Sequence, residues 1–288
     1  MWLPWETAFQ LAGALLVVAL LVGRATTPNW LRAARTTLTE VVLVLVLYGI
    51  WQYVHEQAIT KTAGAIAHAH SLYRFEQAIH LPSELWMQNM FIHHRLAMQF
   101  LNIYYGGAHV PAVGIMLVWL FVRHRDKYSF VRTTLALSIA GCLAIQMIPV
   151  APPRFLPELG FVDAGLLYHL SVYGAGGSGV SNQLAAMPSL HVGWAVLVAA
   201  AAVWIGRGRW RWLVVAHPVL TVVAVVATAN HWWLDGVVAA MVLAVAAGVT
   251  WLGTAAVRRV RSRFHIQPSE ATSESRSLTP AGRGTVDS

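Results

Sequence analysis

Long apolar runs recur along the whole chain, and they constrain the fold more than any other feature of the sequence. Seven of them are long enough to cross the hydrocarbon core of a bilayer as helices: 7–23, 38–59, 107–122, 130–150, 189–205, 212–229 and 233–257. Only 11% of the residues are charged, whereas about a quarter are charged in a soluble domain. The sequence therefore predicts an all-α, polytopic membrane helix bundle of about six to seven transmembrane helices, with interfacial helices on its outer face.

Basic residues cluster after the first run, between the third and fourth, between the fifth and sixth, and after the last. In a seven-span bundle all four clusters lie on one side, which the positive-inside rule makes the cytoplasm. The clusters are Arg24, Arg32 and Arg35; Arg123, Arg125, Lys127 and Arg132; Arg207, Arg209 and Arg211; and Arg258, Arg259, Arg261 and Arg263. This topology accounts for the formal net charge of +8, so we expect a multi-pass cell-membrane protein that does not bind nucleic acid.

The segments between the runs suggest three regions: an N-terminal transmembrane hairpin (1–60), a membrane core (61–265) and a disordered cytoplasmic tail (266–288). Segment 61–105 is amphipathic and predicts two helices lying in the interface. Segment 151–187 is longer than an ordinary turn and contains the glycine-rich stretch 174–179. It is interpreted either as a substrate lid or as a disordered connector.

Two of the apolar runs open with a histidine. Pro188-Ser189-Leu190-His191 opens the fifth run, with Pro188 suited to the first turn of the helix. Asn230-His231-Trp232-Trp233-Leu234-Asp235 opens the seventh. The start of a helix presents unpaired backbone N–H groups and the positive end of the helix dipole, which together favour a bound phosphate. We call the starts of these two helices, with the residues that precede them, their mouths. With the N-terminus outside, both mouths are expected on the extracytoplasmic side.

The side chains at these mouths suit phosphoryl transfer. His231 and Asp235 are four residues apart, so on one helix face the carboxylate can orient the imidazole and leave its other nitrogen free to attack. His191 can supply a proton to the leaving oxygen. Arg154, on the preceding outer loop, can grip phosphoryl oxygens, and Ser189 can add a hydroxyl.

A second group of polar residues leads into the third run. Asn102, Tyr105 and His109 fall at helical spacing on one stripe. The stripe either lines the site or packs polar atoms between helices. Single histidines at helix ends, such as His217, are interpreted as interface anchors or capping residues.

Taken together, these motifs resemble the type 2 phosphatidic acid phosphatase superfamily, whose three signatures occur in this order. Pro152-Pro153-Arg154 resembles the first, Pro188-Ser189-Leu190-His191 the second, and His231 with Asp235 the third. The form Ala-Met-Pro-Ser-Leu-His, together with Tyr73-Arg74-Phe75-Glu76, is similar to the branch that contains fungal inositol-phosphorylceramide synthases and bacterial inositol phosphotransferases.

The resemblance implies a role for each matching residue. His231 would form a phosphohistidine, Asp235 would orient it, His191 would be the general acid and Arg154 a phosphate ligand. Substrate contacts would involve Ser189, His109, Asn102 and Tyr105. The substrate would be a membrane lipid phosphate, and the family's mechanism needs no metal or other cofactor.

Two basic positions of the family signatures are not basic in this chain. The family's lysine would fall at Met147 and its third-signature arginine at Val225. Candidates to offset the phosphate charge in their place are His109, Arg74 and Arg95.

We therefore expect a lipid phosphatase or phosphotransferase that passes the phosphoryl group to water or to a lipid or polyol acceptor. The branch resemblance alone favours transfer over hydrolysis, as in an inositol-phosphate transferase. A zinc-dependent membrane hydrolase with His191, His231 and Asp235 as ligands is the alternative enzyme. A non-enzymatic transporter is less favoured, because the interiors of the runs carry almost no charge.

Overall fold

The computed structural model describes residues 3–22, 29–59, 63–168 and 183–264. Its α-helices are α1 (Trp5–Val22), α2 (Asn29–Ile59), α3 (Ala65–Ala78), α4 (Glu84–Ile92), α5 (Arg95–Gly107), α6 (His109–Arg123), α7 (Arg125–Gln146), α8 (Ala164–Leu167), α9 (Leu190–Ile205), α10 (Ala216–Ala227) and α11 (Trp233–Phe264). Short 3₁₀ segments form Pro153–Phe155, Pro157–Leu159 and Arg209–Val215. The all-α prediction is confirmed for the part of the chain that the structure describes. The glycine-rich stretch 174–179 and the tail from Gln267 lie outside it.

Every predicted apolar run corresponds to a helix. Within the described residues, five helical segments are long and apolar enough to cross a membrane, and α5 with α6 makes a sixth if that bent pair is counted as one span. Helix α9, the counterpart of the fifth run, has 16 residues and is shorter than each of these five segments. The chain is therefore a multi-pass membrane protein.

The segment before α6 differs from its prediction. Two interfacial helices were expected over residues 61–105, but the structure has three: α3, α4 and α5. The third continues into α6 across a bend of 47°. The bend follows from the local sequence, because Gly106 and Gly107 end α5 and Pro111 lacks the N–H that a continuous helix would use.

The helices of the core run alternately between two ends of the bundle. The starts of α6, α9 and α11 meet at one end, where the rings of His109, His191 and His231 are neighbours. The same three helices finish beside basic residues at the other end, where α7 and α10 begin. Helix α2 joins this basic end through an ion pair between Arg132 Nη1 and Glu40 Oε2. The histidine-bearing end and the basic end are thus opposite faces of the bundle.

Trp232 anchors the loops at the histidine-bearing end. It is 1% exposed, its indole N–H donates to the Ala151 carbonyl at 2.9 Å, and its ring lies 5.9 Å from Tyr73 and 5.8 Å from Phe161. Truncating an aromatic side chain this buried costs about 3–5 kcal/mol. This packing fixes the chain immediately next to His231.

Candidate active site

The mouth of α9 is capped by Ser189. Its hydroxyl accepts the N–H of Val192 at 3.4 Å, and its own N–H donates to the Asp235 carbonyl at 3.0 Å. The prediction that Pro188 lies in the first turn is wrong, because the helix begins at Leu190. Ser189, whose side chain can satisfy a free helix N–H, takes the capping position, and the proline precedes it. The backbone bond from Ser189 to Asp235 ties the two mouths together.

The mouth of α11 is capped from inside the helix. Asp235 is fully buried, and its Oδ2 accepts the N–H of Trp232 at 2.8 Å while lying 3.1 Å from His231 Nδ1. The predicted His231–Asp235 contact is present, but not on one helix face. The helix begins at Trp233, so His231 precedes it, and the carboxylate reaches back over the helix start.

Two acceptors fix the tautomer of His231. Its Nδ1 lies 2.8 Å from the Ala186 carbonyl as well as 3.1 Å from Asp235 Oδ2. Both neighbours accept hydrogen bonds only, so the ring proton belongs on Nδ1 and Nε2 carries the lone pair. Nε2 is buried and has no hydrogen-bond partner among the described residues.

His191, the second histidine of the site, lies beside the ring of His231. The ring centroids of His191 and His231 are 5.7 Å apart, and His191 Nδ1 is buried with no hydrogen-bond partner in the described part of the chain. Tyr105 lies 4.3 Å from the His191 ring and 6.1 Å from the His231 ring. The two imidazole rings therefore lie side by side, and the Asp235 carboxylate lies on the Nδ1 edge of His231.

The polar stripe on α5 and α6 divides into two kinds of residue. Tyr105 and His109 line the site, since the His109 ring lies 4.9 Å from that of His191. Asn102 is buried, but its amide donates to the Met98 carbonyl of its own helix at 2.9 Å. Tyr105 and His109 thus fit the alternative in which the stripe lines the site. Asn102 fits the alternative in which it packs a polar group within the bundle.

Behind His109 lies a polar group that sequence reasoning missed. His109 Nε2 is 3.1 Å from Thr221 Oγ1, and the Thr221 hydroxyl donates to the His217 carbonyl at 2.8 Å. Tyr104 contacts His217 Nδ1 through its hydroxyl. His217 belongs to this group, and its interpretation as an interface anchor or capping residue overlooked these contacts. The available signal was a histidine and a threonine four residues apart within an apolar helix.

Arg154 is held at the mouth of α11. Its backbone N–H donates to the Ala229 carbonyl at 3.0 Å, and its side chain is only 3% exposed. The guanidinium contacts three oxygen-bearing side chains: Asn230 Oδ1, Gln183 Oε1 at 3.3 Å and Asp163 Oδ2 at 3.4 Å. These three partners were not predicted, although Asn230 directly precedes His231. They fix the direction of the guanidinium.

Of the three candidates to offset the phosphate charge, the structure brings only His109 to the site. Arg74 is exposed and donates to Ser71 Oγ at 3.4 Å. Arg95 is exposed at the start of α5. Val225, which stands at a basic position of the family signature, is buried, and its carbonyl accepts the N–H of His231 at 3.1 Å.

The geometry does not offer the zinc ligand set of the alternative hydrolase. No three His, Cys, Asp or Glu side chains in the described residues converge so that they could hold a metal ion. The Asp235 carboxylate lies on the Nδ1 edge of His231, away from Nε2. This arrangement is the one expected of a nucleophilic histidine, a carboxylate that orients it and a second histidine beside it.

A family comparison identifies the superfamily of the chain. A family model described as the PAP2 superfamily matches residues 70–249, well over half of the chain. This chain belongs to the PAP2 superfamily. No curated protein and no solved structure matches it. Members of the superfamily are phosphatases and phosphotransferases, so the protein is an enzyme of the phosphoric ester hydrolase or phosphotransferase kind.

Proposed function

We propose that this PAP2 superfamily enzyme cleaves a phosphate ester of a membrane lipid through a phosphohistidine on His231. One observation carries the proposal: Nδ1 of His231 is held by Asp235 and Ala186, while Nε2 is unpartnered beside the ring of His191. An imidazole fixed in this way has one nitrogen committed to orientation and the other available for attack.

In the first step the lone pair of His231 Nε2 attacks phosphorus. The N–P bond forms as the bond between phosphorus and the leaving oxygen breaks. Protonated His191 gives its proton to that oxygen, so the leaving group departs as a neutral alcohol. Asp235 stabilises the positive charge that develops on the His231 ring, at 3.1 Å from Nδ1.

In the second step an acceptor hydroxyl attacks the phosphohistidine. The neutral His191 takes the proton of the acceptor, the new O–P bond forms, and the N–P bond breaks to return His231 to its starting state. Arg154 and the N–H groups at the start of α9 would bind the phosphoryl oxygens. Ser189, already the cap of α9, would fix those N–H groups; Tyr105 and His109 would bound the pocket, with Asn102 behind them.

The substrate is proposed to be a lipid whose head group lies at the membrane surface. The site lies at the end of the bundle opposite the basic residues that close α6 and open α7. By the positive-inside rule that basic end is cytoplasmic, so the site would open on the extracytoplasmic side of the cell membrane. The lipid would enter sideways from the bilayer.

The acceptor distinguishes phosphatase from phosphotransferase. Water as acceptor gives free phosphate, whereas a lipid or polyol hydroxyl gives a new phosphoester. We favour transfer, including transfer of inositol phosphate, because Ala-Met-Pro-Ser-Leu-His and Tyr73-Arg74-Phe75-Glu76 resemble the inositol phosphotransferase branch. This preference rests on analogy of motifs.

The proposal is tested by incubating the detergent-purified protein with a panel of head-group-labelled phospholipids, with and without inositol. The expected result is turnover that vanadate inhibits and a chelator spares, with label recovered in a phosphorylated acceptor. Label recovered only as free phosphate would restrict the enzyme to hydrolysis. Activity abolished by chelator and unaffected by vanadate would replace the phosphohistidine scheme with the metal-dependent one.

A further inference from the structure

Two carboxyl side chains are buried together below the mouth of α11. Glu76 on α3 and Glu84 on α4 are both 0% exposed. Glu84 is the titratable neighbour that most affects the pKa of Glu76, through a side-chain hydrogen bond and its charge. Charged side chains are almost never fully buried unless they are paired with an opposite charge or satisfied by donors.

The described residues around this pair provide one hydrogen-bond donor. Glu76 Oε1 accepts the backbone N–H of Leu234 at 2.8 Å. Among the residues that the structure describes, neither Glu76 Oε2 nor either oxygen of Glu84 meets a hydrogen-bond donor. If both groups were ionised, two negative charges would face each other without compensation. One proton between them removes the repulsion and supplies the missing donor.

The same two helices hold the start of α11. Leu234, which bonds Glu76, lies immediately before Asp235. The indole N–H of Trp233 donates to the Pro82 carbonyl, in the turn between α3 and α4, at 2.6 Å. The position of the first turn of α11 is therefore set by contacts from the α3–α4 hairpin.

We propose that Glu76 and Glu84 share one proton and act together as positioning residues, holding the first turn of α11 so that Asp235 orients His231. The inference rests on the proposed function, since His231 must be the nucleophile for its orientation to affect the rate. Neither glutamate contacts the reacting atoms. Their effect passes through Leu234 to Asp235.

The shared proton makes the pair sensitive to alkaline pH. Burial, the hydrogen bond to Glu84 and the charges of Glu84 and Asp235 raise the pKa of Glu76 from 4.5 to about 9. The groups facing Glu76 are Glu84 from α4 and Asp235, with its partner His231, from the mouth of α11. Between pH 4.5 and about pH 9 the folded state binds one more proton than the unfolded state. The free energy of unfolding therefore falls as pH rises through that interval.

Glutamine substitutions separate a shared proton from a pair of charges. In Glu76→Gln the amide oxygen can still accept from Leu234, and the amide N–H₂ can donate to an ionised Glu84. In Glu84→Gln the amide donates to an ionised Glu76. Each variant keeps one negative charge, as the proton-sharing pair does, but has no proton to lose near pH 9. Glu76→Ala instead leaves Glu84 buried with no donor among the described residues, and Glu84→Ala leaves Glu76 with the Leu234 N–H but without its carboxyl partner.

The experiment measures kcat and KM of the full-length protein with its lipid substrate. Thermal unfolding is measured beside it between about pH 6 and about pH 10, a range that includes the raised pKa of Glu76. Both Gln variants should keep kcat within about threefold at neutral pH, whereas the Ala variants should lose about 100-fold in kcat with little change in KM. The matched control is Gln77→Ala, an exposed neighbour on α3, which should behave as wild type. Wild type should lose thermal stability towards pH 9 relative to Glu76→Gln.

Infrared spectroscopy tests the proton without requiring turnover. Wild type at neutral pH should show the carbonyl band of a protonated carboxyl group, and Glu76→Gln should lose it. Absence of that band in wild type, Gln variants as impaired as the Ala variants, or Ala variants as active as wild type would each overturn the proposal. Activity retained by His231→Ala would instead refute the proposed function, while leaving the infrared band and the pH-dependent stability unaffected.

Discussion

The two helix mouths of the site are built on one plan but hold their histidines differently. At α9 the cap is Ser189, outside the helix, and His191 lies inside it with Nδ1 unpartnered in the described structure. At α11 the cap is Asp235, inside the helix, and His231 lies outside it with Nδ1 held by two acceptors.

In the proposed mechanism this difference separates two chemical tasks. A nucleophile must keep one tautomer and one direction throughout the reaction, which the contacts of His231 ensure. A group that gives and then takes a proton must change its protonation state, which the weaker constraints on His191 allow. Closely similar local structures thus give one fixed and one exchangeable imidazole.

Removing the fixed imidazole should have the largest effect. His231→Ala is expected to lower kcat by about 10⁴-fold or more, because it removes the nitrogen on which the proposed covalent intermediate forms. The measurement is turnover of a labelled lipid by purified protein, with His93→Ala, an exposed histidine at the end of α4, as the matched control. Comparable losses in both variants would mean that His231 acts only through folding.

Releasing the fixed imidazole without removing it should come next. Asn at position 235 can still accept the Trp232 N–H but is expected to hold the wrong tautomer of His231, so Asp235→Asn should lower kcat by about 10³-fold or more. Thermal unfolding should change little, because the cap is retained. A large fall in unfolding temperature with unchanged kcat would assign the carboxylate to capping alone.

Removing the exchangeable imidazole should cost less and depend on the leaving group. His191→Ala is expected to lower kcat by about 10²–10³-fold with a lipid alcohol as leaving group. A nitrophenyl phosphate ester, whose leaving group needs no proton, should recover most of the first step. His231→Ala should show no such recovery. Equal loss on both substrates would contradict the role of His191 as an acid.

The cap outside the helix should have the smallest effect. Ser189→Ala removes the acceptor for the Val192 N–H and should destabilise the protein by about 1 kcal/mol. Activity should remain within a few-fold of wild type, measured beside thermal or denaturant unfolding. A fall in kcat as large as that of Asp235→Asn would show that the two caps are chemically equivalent.

The sequence predicted those features that follow from local pattern. Each apolar run became a helix, and residues four apart brought His231 and Asp235 into contact. The mouth geometry was less accessible: His231 was placed on a helix face, whereas it precedes α11, because competition between possible caps decides where a helix starts.

Features that depend on distant contacts were not predictable in this way. Glu76 meets Leu234 across 158 residues, and Arg154 meets Asn230 across 76. Neither pair leaves a periodic signal in one sequence. The contacts of the buried Thr221 and the half-buried Tyr104 likewise form only when α5 and α10 pack together.

The central claim is that a phosphoryl group passes through His231. The most direct test is rapid acid-free quenching of the enzyme with phosphorus-labelled lipid, followed by peptide mapping, in wild type, His191→Ala and His231→Ala. The account predicts label on His231 in wild type and in His191→Ala, and none in His231→Ala. Label on any other residue, or label that persists in His231→Ala, would contradict it.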